Sequence, residues 1–199
     1  MNLADIQPAI PMIVAHAAVT ELRRRTYLAT YPGMLAIGTA PGATSALRFH
    51  QLATMVYGWM PRVVRIDPAY TAGGVVAVGA ASVATSATFI TVPIQEVANC
   101  LHSVVGASKL LHFVNPSVFP IWDSNIEAFR ELPDSNMNSV AQYIRYVREV
   151  NSIRAERDFQ AFYAEFCKAY TNRLLASGIA AYTISEVRAI ESAAFELSP

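Results

Sequence analysis

Apolar residues along this chain recur mostly at spacings of three and four, the mark of helices that bury one face. After Pro8 and Pro11, residues Ile13, Ala17, Leu22 and Tyr27 predict a helix over 12–30 that stops at Pro32-Gly33. Thr44 or Ser45 is placed to cap a second helix, with Leu47, Leu52, Met55, Val56 and Trp59 facing inward and its end before Pro61. Residues 62–72 contain Asp67-Pro68 and read as a loop. Residues 73–90 carry mixed signals. Val75-Val76 and Thr88-Phe89-Ile90 favour strand, while the alanines and serine between them favour helix, the assignment adopted here.

The second half has clearer punctuation. Pro93 suits the first turn of a helix, and Ile94, Val97, Ala98, Leu101, Val104 and Val105 then keep the 3.6-residue period. This predicts a helix over 93–105 that breaks at Gly106. Ser108 opens the next helix, which carries Lys109, Leu110, Leu111, His112, Phe113 and Val114 to Asn115-Pro116. Asp123 stands where an N-cap belongs, before a helix over 124–132. Three more helices are predicted, at 137–150, 154–176 and 185–196; the last has Ser185 as cap and Glu186 and Glu191 on its polar side. The pattern predicts an all-α chain with residues 1–199 in a single helical domain. Its best candidate for a subdomain seam is the turn Pro133-Asp134-Ser135-Asn136.

Composition narrows the choice of partners. The chain is 53% hydrophobic and 15% charged, with zero formal net charge. It therefore lacks the basic excess of most nucleic-acid binders, and the local Arg23-Arg24-Arg25 triplet reads first as a solvated helix face. Cys100 and Cys167 lack metal-binding spacing, as do the four histidines, so no metal site is expected. No phosphate-cradling motif surrounds Gly73-Gly74, and no cofactor is expected. The stretch Pro68–Gln95 is uncharged and long enough to span a bilayer. Its glycines, serines and threonines gain little from lipid, so a buried helix or loop is expected there and no membrane partner. The chain opens without a basic, then apolar, leader. With its thiols read as small buried hydrophobes, this points to the cytoplasm.

The candidate chemistry lies in residues 106–125, "GASKLLHFVNPSVFPIWDSN". Lys109 and Asp123 bracket the most apolar and aromatic segment of the chain. An amine must be uncharged to attack carbon, and burial against Leu110, Phe113 and Trp122 would lower its pKa. A carboxylate beside it can stabilise an oxocarbenium ion or shuttle a proton. The pair also suits a structural role, with Asp123 as cap and Lys109 bridging to it.

Helix, glycine hairpin, lysine-bearing helix and an apolar-Pro-Ile-aromatic-Asp string resemble the helix-hairpin-helix DNA glycosylase superfamily over residues 94–130. Gly106 matches the hairpin's last glycine, Lys109 the catalytic lysine and Pro120-Ile121-x-Asp123 the string that ends in the catalytic aspartate. Val105 stands where the hairpin's first glycine is often found. The wording Ser-Lys-Leu-Leu-His-Phe plus Phe-Pro-Ile-Trp-Asp is also similar to small bacterial and phage relatives of that fold. The resemblance implies a glycosylase-like helical fold acting on DNA with a modified or damaged, flipped-out base. Lys109 would be the nucleophile and Asp123 the charge stabiliser, while Gly106 and Ser108 would meet the DNA backbone. His112 would tune the lysine or donate a proton, and Trp122 and Phe119 would stack on the extruded base. Trp59 would line the pocket and Arg62 would meet phosphate. Taken as residues, His112 and the aromatic helix end at Trp59 read first as packed core, and Trp122 and Phe119 equally suit core filling. Two alternatives stay open: a phage-type transferase that places an amino acid or polyamine on a pyrophosphorylated hydroxymethyl-uracil, and a DNA-binding or interaction module without chemistry.

Overall fold

The computed structural model describes residues 1–42, 44–60, 62–131 and 136–198, and among these every regular element is helical. The seam expected at Pro133-Asp134-Ser135 lies outside the described residues, as do Pro61 and Leu132. The elements are α1 Leu3–Ile6, α2 Ala9–Ala15, α3 Leu22–Gly38, α4 Ala46–Trp59, α5 Thr71–Ser82, α6 Ile94–Leu101, α7 Val104–Val114, α8 Ser124–Arg130, α9 Val140–Arg154, α10 Phe159–Ala176 and α11 Glu186–Glu196. No described helix is long and apolar enough to cross a membrane. The uncharged stretch is spent on α5, two short 3-10 turns, Pro68–Tyr70 and Phe89–Thr91, and the start of α6.

Several helix starts follow oxygen-bearing caps, because the first N–H groups of a helix need acceptors. Side chains of Ser45, Ser103, Asp123, Ser139 and Ser185 all accept from backbone N–H groups of the turn they precede. Two helices group the rest. Central α7 packs against α3, α4, α5, α6 and α9, while α11 packs against α1, α2, α8, α9 and α10. The N-terminal helices α1 and α2 thus belong with the C-terminal group.

Three expectations are corrected. The first helix does not stop at Pro32-Gly33: the chain breaks at 16–21 instead, and α3 runs through both residues. A mid-helix proline leaves the carbonyl four residues earlier without a donor. That carbonyl belongs to Leu28, and the Tyr182 hydroxyl donates to it at 3.0 Å. The partner comes from 154 residues away, so no local pattern could announce it.

The second correction concerns the hairpin. α6 ends at Leu101, His102 takes the left-handed conformation (φ 47°), and Ser103 caps α7 through the Gly106 N–H. The turn is therefore His102-Ser103, and Gly106 lies within the first turns of α7. Its glycine identity serves a close approach, since a Cβ there would sit 2.8 Å from the Tyr57 hydroxyl. That hydroxyl in turn donates to the last α6 carbonyl, Leu101 O, at 3.0 Å.

The third concerns side-chain directions. Leu47 and Leu22 are exposed, and Glu191 is buried at 3% exposure, not on a polar surface.

A cleft around Lys109 and Asp123

Lys109 sits on the most enclosed helix of the chain, where nine of eleven residues are buried. Its own side chain is half-buried and lines an open cleft of about 1070 Å³, together with Asp123, Trp59 and Arg62. The amine lies 5.7 Å from the centre of the Trp59 ring, a cation–π arrangement. Burial pushes the amine pKa down; Asp123 and Glu191 pull it up, while Arg188 and Arg62 push it down further. Among the described residues no carboxylate lies within ion-pairing distance, 4.0 Å, of this amine. The simple structural bridge between Lys109 and Asp123 is therefore not formed.

Asp123 caps α8 as its position suggested. Its Oδ1 accepts from the N–H groups of Asn125 at 3.1 Å and Ile126 at 3.2 Å. The segment before it, Phe119-Pro120-Ile121-Trp122, is buried and non-helical. Such backbone has no ladder or helix to satisfy it, so side chains must. The Phe119 carbonyl lies 2.7 Å from His112 Nδ1, and the Tyr143 hydroxyl donates to the Pro120 carbonyl at 3.0 Å. The Ile121 N–H donates to Glu191 Oε2 at 3.4 Å. The Trp122 N–H donates to Ser108 Oγ at 3.1 Å, and the Trp122 indole N–H to Glu127.

These bonds reassign several predicted site residues. His112, Phe119 and Trp122 are each 0% exposed, so they hold and fill the core beside the cleft and present no face to a ligand. Burial, with help from Arg188, pushes His112 down to about 3. The imidazole is thus neutral, with its Nδ1–H donating to Phe119 and Nε2 accepting from the Tyr31 hydroxyl at 2.8 Å. Ser108 is likewise fully buried and Gly106 is buried beneath Tyr57, so neither reaches a DNA backbone. Trp59 is half-buried at the cleft wall, and Arg62 is exposed at its mouth.

Other lining groups were not predicted for the site: the Arg23-Arg24-Arg25 triplet read as a solvated helix face and Glu191 as the polar side of its helix. Arg23 and Arg24 come from α3, Arg65 from the loop after α4, and Arg188, Glu191 and Ser192 from α11. Arg24 pairs with Glu196, and Arg188 with Glu191. Four cations remain, Arg23, Arg62, Arg65 and Lys109, facing two carboxylates, Glu21 and Asp123. The cleft is cationic in a chain whose formal net charge is zero. The only sequence signal for the α11 pair was the Arg-x-x-Glu spacing, which puts two side chains on one helix face without saying which way it points. Comparison of the chain with family models, with curated proteins and with solved structures finds no match in any of the three.

Proposed function

We propose that this chain is an enzyme that processes a base in DNA, using Lys109 as nucleophile and Asp123 as charge stabiliser. One observation carries the reading: an amine desolvated but not ion-paired shares an open cleft with a carboxylate held in place by its own helix. Burial favours the free amine that nucleophilic attack requires. Asp123 is anchored through one oxygen, and its charge bears on the same cleft. In the proposed step the C1′–N bond breaks, its electron pair leaves with the base, and the Lys109 nitrogen bonds to C1′ while Asp123 offsets the positive charge on the sugar. Loss of the amine proton and opening of the sugar ring then give a Schiff base.

Two features fit a nucleic-acid strand. Trp59 offers an apolar wall for a base. Arg23, Arg62 and Arg65 at the cleft supply the phosphate contacts that Gly106 and Ser108 do not. Few such contacts imply modest affinity and a shallow dependence on salt.

Borohydride trapping on a duplex with an abasic site tests the reading. Wild type should form a covalent adduct and Lys109→Ala none. Equal behaviour of the two on abasic and modified-base duplexes would overturn the role of Lys109. Mass transfer onto pyrophosphorylated hydroxymethyl-uracil, with no trapping, would replace base release by the transferase chemistry.

A further inference from the structure

We propose that Glu191 is a positioning residue of this cleft, holding the string that presents Asp123 and adding its charge to the surroundings of Lys109. The inference rests on the Lys109–Asp123 reading for its purpose, but its test needs no DNA.

Glu191 and Arg188 are three residues apart on α11, a spacing that normally serves a solvated pair. Here both are taken from water: the Glu191 side chain is 4% exposed and that of Arg188 12%. A buried pair of this kind is weak as a source of stability, because desolvation cancels much of the attraction. What the pair touches is more informative. Glu191 Oε2 accepts from the Ile121 N–H, two residues before Asp123. The Arg188 guanidinium lies 4.7 Å from the centre of the Tyr31 ring. Tyr31 donates to His112, and His112 to the Phe119 carbonyl. Two routes from α11 therefore converge on the string that presents Asp123.

The charges around Glu191 are few. Arg188 on its own helix and Asp123 at the start of α8 act on Glu191, and Glu191 acts in turn on Lys109 of α7, which lines the same cleft. The tyrosines that feel it, Tyr31, Tyr143, Tyr146 and Tyr170, are all pushed up by burial and stay neutral. Burial raises Glu191 to about 7, against the pull of Arg188. An ionised Glu191 favours the protonated Lys109 amine, and a neutral one releases it. The Glu191 carboxylate is buried while Asp123 is half-exposed at the cleft, so the two acids have separate tasks.

The chain has only two lysines, Lys109 and the exposed Lys168, which makes the test clean. Reductive 13C-methylation labels both lysines and the N-terminal amine, and the Lys109 signal, assigned by its loss in Lys109→Arg, is titrated by NMR in wild type and Glu191→Gln. The glutamine keeps an acceptor for the Ile121 N–H but no charge. The Lys109 midpoint should fall, raising the share of free amine, with the signal of the exposed Lys168 as internal control. In wild type the Lys109 signal should also show a second inflection near pH 7, where Glu191 titrates. An unchanged Lys109 midpoint in a folded variant overturns the proposal. If the variant does not fold, the wild-type curve decides, and absence of the second inflection overturns it. A shifted Lys109 in a protein that traps no DNA would leave this inference standing and remove the function proposed above.

Discussion

Two regions around the cleft are built on opposite principles. One, the string Phe119 to Trp122 that leads to Asp123, is irregular backbone with every residue buried, and four partners from α7, α9 and α11 bond it. The other, the loop after α4, carries Arg62 and Arg65 in the open. Position is decided in the first, where a residue proposed for chemistry must be held within a fraction of an ångström. Under the proposed function the second supplies long-range attraction, for which an exposed cation suffices. Residues expected to touch the substrate, such as His112 and Trp122, turn out to hold the residue that would.

Substitutions should expose that asymmetry. The largest effect is expected from Phe119→Ala, which empties a fully buried site and should cost about 3–5 kcal/mol in denaturant unfolding. By contrast Leu47→Ala, at an exposed position, should change little. A loss below about 1 kcal/mol for Phe119→Ala would mean that the string is not a packed wall.

Next comes the pH dependence of the fold around His112. The folded pKa of His112 is depressed to about 3, so its contribution to stability is present above the unfolded value of 6.5 and is lost as pH falls towards 3. At pH 5 the loss should be about 2 kcal/mol relative to pH 8. Glu191, raised from 4.5 to about 7, works in the opposite sense between those values, because its neutral form is the one the fold prefers. The measurement is therefore the difference between wild type and His112→Gln across pH 4–8. That difference should shrink as pH falls, and a flat difference would contradict the neutral buried imidazole.

A smaller effect separates the two roles of Asp123. Asparagine caps helices about as well as aspartate, so Asp123→Asn should leave stability within a few tenths of a kcal/mol, while Asp123→Ala should cost about 1 kcal/mol. Turnover should fall strongly in both, by roughly a hundredfold or more. Activity that tracks stability across the two variants would reduce Asp123 to a cap. The smallest effect on the fold is expected at the open side. Arg62→Ala should shift stability by less than about 0.5 kcal/mol while weakening DNA binding and lowering the salt slope by about one. An unaltered slope would place the phosphates elsewhere.

What the sequence determined by itself is local. Caps at Ser45, Asp123 and Ser185, the helical periods and the general course of the later helices were legible because each depends on residues within one or two turns. The joint placement of Lys109 and Asp123 in one cleft was reached through a family-like pattern, and helix geometry alone would not have given it. Tertiary structure decided the rest. Pro32 can lie inside α3 because Tyr182 meets the carbonyl it strands. Gly106 is a contact point for Tyr57 and not a turn, since a glycine looks the same in sequence whether it is needed for a bend or for space. The burial of Glu191 depends on which face of α11 meets the Ile121 backbone, a choice set by packing among segments 70 residues apart. Hydrogen-bond debts of a buried irregular string are settled by whatever side chains surround it. Those neighbours are fixed only when the whole chain has folded.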